Sequence, residues 1–375
     1  MCRAVGSGLR GRGGLSFGGI GWLGSHVAEG SRQQCRAKGR SSMTIFSRGI
    51  AAGAALLACG WATVAMAQSG PEYFNGKTVN YIIATEPGGG YDTYGRLVCE
   101  FMQKHLPGST FVVRNMPGAG NLLGANYIAA STPDGLTIGS FNTGLVYSQL
   151  SGNEGVRFDL TKMSWIGKAA SDPRVVVVAA DADIKDFKEL QSLDKKLKFS
   201  TSGAGSASEV NTTILVSALK LPIDVISGYS GNDDQLAIMR GEVQGVISSR
   251  SSFEPFVKEG HGKFLAQIGG SDTDVPQLAT LVDNEEAQKA IALVESQSDI
   301  SRLTVGPEGI PDDILKTLRD AYSAAISDPE FIAKADKLGL PLDPAVGDEV
   351  ADLVKKALDQ SPEMVGFLKQ ALKKD

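Results

Sequence analysis

The chain has 375 residues, of which 37 are Lys or Arg, 42 are Asp or Glu, and an ordinary 42% are apolar. The first 67 residues hold eight of the bases (Arg3, Arg10, Arg12, Arg32, Arg36, Lys38, Arg40, Arg48) and one acid, Glu29, leaving 29 bases and 41 acids in the other 308. That acidic excess excludes a phosphate-tracking nucleic-acid surface, and the length with this apolar content excludes disorder and coiled coil and suggests two lobes.

The first element in chain order is a secretory signal. From Met43 the sequence reads MTIFSRGIAAGAALLACGWATVAMAQSG: a short head with Arg48, an apolar run, then Ala65-Met66-Ala67 before Gln68. This is the order of a cleaved signal peptide, so residues 43–67 are expected to be removed and the mature chain to start at Gln68. Residues 1–42 are rich in Gly, Arg and Ser without an apolar period, and are expected to be a misassigned upstream segment; a genuine extension is the alternative. As an uncleaved anchor the run is short and Ala/Gly-rich against the ~20 apolar residues a span prefers. Leu56-Leu57-Ala58-Cys59 offers a lipidation box as a minority alternative. Cys2, Cys35 and Cys59 precede the cut, so Cys99 alone remains and no intrachain disulfide can form. Its neighbours Leu97, Val98 and Phe101 favour a small buried residue over a catalytic thiol.

In the mature chain, 77–84 (KTVNYIIA) reads as a strand running into Pro87-Gly88-Gly89-Gly90. A helix through Tyr94, Leu97, Val98, Phe101 and Met102 follows and ends at Pro107-Gly108; a strand over 110–114 leads to Pro117-Gly118-Ala119-Gly120. Next come a helix through Leu122, Leu123, Tyr127 and Ile128, a turn at Pro133-Asp134-Gly135, and a strand over 136–140. Strand, glycine loop and helix in repetition predict an α/β layer with a mainly parallel sheet. A second unit starts at 175–180 (VVVVAA), a strand covered on both faces. It continues with helix 186–190, strand 197–200, a helix after Ser206, strand 223–227, a helix near 234–239, and strands 243–248 and 264–268. An acidic helix around 284–294, a strand over 302–305, a helix opened by Pro311-Asp312-Asp313 and an amphipathic helix over 350–358 complete the pass.

Enzyme signatures are scarce. His105 and His261 are the histidines left after the cut, and neither has a Cys, His or carboxylate at metal-ligand spacing, so no metal and no cofactor is expected. The triple glycine lacks the Lys-Ser/Thr of a P-loop, and Gly118 to Gly124 has one residue too many for a dinucleotide fingerprint. Ser202-Gly203-Ala204-Gly205 lacks the nucleophile-elbow order. What remains are Gly-rich loops at strand-to-helix turns, the edge where open α/β sheets bind ligands. In 87–93 (PGGGYDT) the glycines allow close backbone approach and Asp92 is expected to cap a helix starting near Thr93. The loop 115–120 (NMPGAG) has the same openness. In 201–206 (TSGAGS), Ser206 to Glu209 form a capping box, and a helix N-terminus lined by free N–H groups and hydroxyls can hold a carboxylate.

Pro87-Gly88-Gly89-Gly90-x-Asp92 with Arg96, Asn115-x-Pro117-Gly118-Ala119-Gly120, and Pro133-Asp134-Gly135 before a strand resemble the signature of the tripartite tricarboxylate transporter receptors, extracytoplasmic solute-binding proteins of Gram-negative bacteria. The resemblance spans nearly the whole mature chain and includes Ser202-Gly203-x-Gly205-Ser206, Gly228-Tyr229-Ser230-Gly231 and the Pro311 helix. It implies a two-lobe type II periplasmic-binding-protein fold with two crossover strands, with residues 68–170 and 291–375 in lobe 1 and 171–290 in lobe 2. It further implies that Gly89, Gly90, Tyr91 and Asp92 shape one wall with Asn142 and Thr143. Thr201, Ser202, Gly205 and Ser206 hold a carboxylate from the other lobe, with Tyr229 near the rim.

The chain departs from the family pattern at 227–231 (SGYSG), which lacks the usual base after the tyrosine, and at 248–252 (SSRSS), which brings in Arg250. Arg174 stands at the expected crossover, where a small or amide residue is usual. Either arginine can contact a carboxylate bidentately; a solvated or interlobe salt-bridge role is equally open to it. The expected function is capture of a small organic acid by lobe closure and its delivery to membrane permease subunits, by a periplasmic monomer that is not an enzyme. Signalling to a membrane sensor kinase is the alternative, and a secreted hydrolase using Ser202 the third.

Overall fold

The structure, a computed structural model, describes residues 70–372 apart from 230 and 272. The expected upstream segment, signal peptide and Cys59 lie outside the described residues. The elements are β1 (Thr78–Ile83), α1 (Gly90–His105), β2 (Thr110–Asn115), α2 (Leu122–Ala129), β3 (Thr137–Ser140), α3 (Gly144–Ser151) and β4 (Ser164–Lys168). Next are β5 (Arg174–Ala179), α4 (Phe187–Gln191), β6 (Leu197–Thr201), α5 (Ala207–Leu219), β7 (Ile223–Ser227), α6 (Asp233–Met239), β8 (Gly245–Ser249), α7 (Arg250–Lys258) and β9 (Gly262–Ile268). Last come α8 (Glu285–Ser298), β10 (Leu303–Gly306), α9 (Asp312–Ile326), α10 (Pro329–Lys337), β11 (Ala345–Val346), α11 (Asp348–Leu358) and α12 (Pro362–Ala371).

Two sheets result, ordered β11-β4-β10-β3-β1-β2 and β7-β6-β8-β5-β9. In the first, β1 pairs with β2 and β3 in parallel, as the strand-loop-helix repetition predicts. It is mixed as a whole, because β10, entering from the other lobe, runs antiparallel to β3 and β4. Each sheet carries helices on both faces. Val176 and Val178 of β5 enter one core of the second sheet while Val175 and Val177 enter the other, so a continuous apolar run is what this central strand requires.

The chain leaves the first sheet after β4 and returns before β10, so the segments around Asp172 and Ser301 join the lobes. The boundary expected between residues 290 and 291 falls inside α8, and this corrects it. Ala287, Ala290, Ile291 and Val294 pack together in the second-sheet core, since one amphipathic stripe cannot face two cores. Helix α12 also lies there, with Leu368 fully buried, although α11 packs on the first sheet. Cys99 is buried among Leu97, Val98 and Phe101, and burial holds its thiol well above the ordinary range. In β4 the Tyr322 ring occupies the space a Cβ at Gly167 would need. Gly167→Ala is therefore expected to lower unfolding free energy by about 1–3 kcal/mol through overpacking, measured by urea denaturation.

Candidate functional site

Because β1, β2 and β3 run in parallel, the loops after them open at one edge; those after β6, β7 and β8 do the same in the second sheet. Residues from both sets of loops line one cavity of about 360 Å³. The walls meet at two backbone contacts. A Cβ on Gly120 would sit 2.8 Å from the Ala204 carbonyl oxygen, and one on Gly231 would sit 2.9 Å from that of Pro87. Both glycines have positive φ, +65° and +62°, which side-chain-bearing residues adopt only at a cost.

In the first wall the helix starts at Gly90, one turn earlier than expected, with Gly89 as its cap. Asp92 therefore lies inside the first turn and reaches back to accept the Gly88 N–H at 3.0 Å. It also accepts Arg96 Nε and Asn115 Nδ2, both at 2.9 Å. Burial opposes its ionisation, but the Arg96 guanidinium, the Gly88 N–H and the Asn115 amide hold its carboxyl below the ordinary value. Asp92 is thus a brace for the loop and does not line the cavity.

In the second wall the loop 201–206 uses most of its own donors. The Ser202 N–H goes to Ser208 Oγ, Gly203 N–H to Ser206 Oγ, Gly205 N–H to Glu209 Oε2, and Ser206 N–H to the Gly203 carbonyl. Ser206 Oγ also caps the Glu209 N–H, one half of the expected capping box, while the Glu209 carboxylate reaches back one residue further, to the Gly205 N–H. Most of the amides of 202–206 are thus spent on the turn itself. The hydroxyls of Ser202, Ser206 and Ser208 line the cavity together with the start of α5, where the Ala207 and Ser208 N–H groups meet no acceptor among the described residues.

Positive charge comes from Arg174, the first residue of β5. It is 4% exposed, lines the cavity, and donates from one Nη to Ser249 Oγ and from the other to Thr143 Oγ1 at 3.4 Å. Its Nε is buried without a partner, and among the described residues it forms no ion pair. Arg302 lines the same cavity, but its Nη2 is ion-paired with Asp172, and Ser251 bridges the two. Its guanidinium stacks 4.3 Å from the Tyr91 ring centre and 5.0 Å from that of Tyr94. Asp234, in the first turn of α6, also faces the cavity, with no cation paired to it among the described residues. Burial pushes its carboxyl up to about 6.

Of the residues expected in the site, Gly89, Gly90, Tyr91, Asn142, Arg174, Ser202 and Ser206 line this cavity. Thr143 stands behind it, holding Arg174. Thr201 is buried against Ser227, Gly205 turns to a neighbouring pocket, and Tyr229 packs on Phe253 and its neighbours. Arg250 is held by Glu254, Gln267 and Asp274 at the back of α7, so it is not placed to meet a ligand. Sequence reasoning passed over Asp234, Gln235, Ser249 and Arg302; the first three reach the cavity from α6 and the end of β8, and Arg302 from the segment that returns between the lobes. Among the described residues, His105 and His261 lie away from the cavity, His105 paired with Asp328 and His261 beside Glu259, and neither is placed as a base for Ser202.

The profile of the "Tripartite tricarboxylate transporter family receptor" family matches residues 95–368. The chain belongs to this receptor family. A UPF0065 protein from the gbd 5′ region of Cupriavidus necator is 27% identical to this receptor over 72% of its chain and 82% of the relative's. MatC from Rhodopseudomonas palustris, solved with bound malate, superposes with a TM-score of 0.61 at 22% identity, covering 79% of this receptor and 99% of MatC. A second R. palustris protein, solved with adipate, gives 0.64 at 17% identity over 78% and 97%. These likenesses show the two-lobe periplasmic-binding fold. Among the described residues of this receptor, no helix is long and apolar enough to cross a membrane.

Proposed function

We propose that the protein is a periplasmic receptor that takes a small carboxylated solute between its lobes and hands it to a tripartite tricarboxylate-type permease. The observation that carries this reading is the buried Arg174 guanidinium, which faces the cavity without an acidic partner among the described residues. A charge taken out of water costs several kcal/mol unless it is paired. A ligand carboxylate supplies the missing anion, with the neighbouring hydroxyls accepting and donating around it.

The cavity volume suits a ligand of few heavy atoms. The malate and adipate found in the two structural relatives are carboxylates of this size. Closure follows from differential affinity: a ligand that touches both walls favours the state in which they meet. Export through a signal peptide at 43–67 places this capture outside the cytosol, where the permease can collect the load.

Calorimetry against mono-, di- and tricarboxylates of three to eight carbons tests the reading, with small-angle scattering on the same samples. At least one acid is expected to bind with a Kd of micromolar or below and to lower the radius of gyration. A panel in which none binds would overturn it.

A further inference from the structure

The cavity holds two unpaired charges of opposite sign. Among the described residues Arg174 has no acid partner and Asp234 no basic one, and they do not pair with each other. The other charged groups around Asp234 are accounted for. Asp233 precedes it on the same helix, and Glu86 on the rim of the first wall is exposed to solvent. Arg302 is committed to Asp172, while on α7 Arg250 and Glu254 are committed to each other. The negative field near Asp234 thus has no cation assigned to it on the elements packed around it.

We propose that the solute is a zwitterion, a small acid whose carboxylate meets Arg174 and whose ammonium group meets Asp234. This rests on the carboxylate-receptor reading above and narrows its ligand class. A dicarboxylate spanning the cavity would bring its second carboxylate towards Asp234 and Glu86, and like charges in a water-excluded site repel strongly. A monocarboxylate would leave Asp234 desolvated and unpaired. An amino acid satisfies both ends, and the paired charges cancel as the cleft shuts.

The test is calorimetry with amino acids of four to six carbons, α and ω, each beside its monocarboxylate, hydroxy-acid and dicarboxylate counterpart of equal length. At pH 7.5 the best amino acid is expected to bind at least tenfold more tightly than its three counterparts. Asp234→Asn is expected to erase that preference, weakening the amino acid at least tenfold while the monocarboxylate, no longer set against an unpaired charge, binds no less tightly than to the wild type.

The wild type supplies a second readout that needs no variant. Because Asp234 titrates near 6, amino-acid affinity is expected to fall about tenfold from pH 7.5 to 5 as the carboxylate is lost. Dicarboxylates or hydroxy acids binding as well as amino acids overturn the proposal, as does affinity rising with acidification. Those outcomes leave the carboxylate receptor standing; a panel in which nothing binds removes both.

Discussion

Replacing Arg174 with Gln is expected to cost the solute at least 2–3 kcal/mol of binding, roughly 30- to 150-fold in Kd, while the ligand-free protein becomes no less stable. The asymmetry follows from where the charge sits. In the free protein the guanidinium is 4% exposed and answered by two hydroxyls, Ser249 and Thr143, so its desolvation is poorly offset. Gln keeps a donor for one hydroxyl and removes the charge. With solute bound, the same guanidinium makes a charge-assisted contact that an amide cannot replace. Calorimetry with the tightest carboxylate measures the loss, and urea unfolding without ligand measures the other half. Undiminished affinity in the variant would mean that the loops hold the carboxylate without Arg174.

The second large effect is expected at Asp172. This residue lies in the segment leaving β4 and Arg302 in the segment entering β10, so their ion pair ties the two interlobe connections together. Asp172 also accepts the Ser251 N–H at 3.1 Å and the Ser251 hydroxyl at 2.7 Å. Arg302 adopts φ +57°, an uncommon conformation for a side-chain-bearing residue, in order to point inward here. Asp172→Ala strands a buried cation and is expected to destabilise by about 3–5 kcal/mol, read as a lowered urea midpoint. Removing both charges, Asp172→Leu with Arg302→Met, is expected to recover most of that loss. A double variant as unstable as the single one would show that geometry at the connections, and not charge pairing, is what Asp172 supplies.

Most of the architecture could be read from the residues because it is written locally. The predicted strand over 223–227 coincides with β7, and Ser206 caps the start of α5 through the Glu209 N–H as expected. Elements passed over have physical reasons. Helix α3 is buried on nearly every side, so GLVYSQLS shows no polar stripe, and β4 is covered on both faces without alternation. Helices α10 and α12 did carry a signal, a capping Asp328 or Ser361 followed by proline, which the reading used at Pro311 alone.

The site was legible at its glycine loops and not in its charges. Arg174 and Arg250 looked equivalent in sequence, each near a strand end. They separate only in three dimensions: α7 follows β8 directly, and Glu254 one turn on, with Asp274 from beyond β9, takes Arg250 away. Asp92 has the residue type of a helix cap but lies inside α1, because the helix takes in Gly90, a residue whose triple-glycine run carries a loop signal in sequence.

The placement of α12 bears on when the protein can fold. Leu368 and its neighbours fill the interior of the second sheet alongside α5, yet they are made only after the whole return passage through the first sheet. During synthesis, the second lobe is left with an uncovered greasy flank until these last turns emerge. Such long-range closure slows folding and prolongs exposure to aggregation.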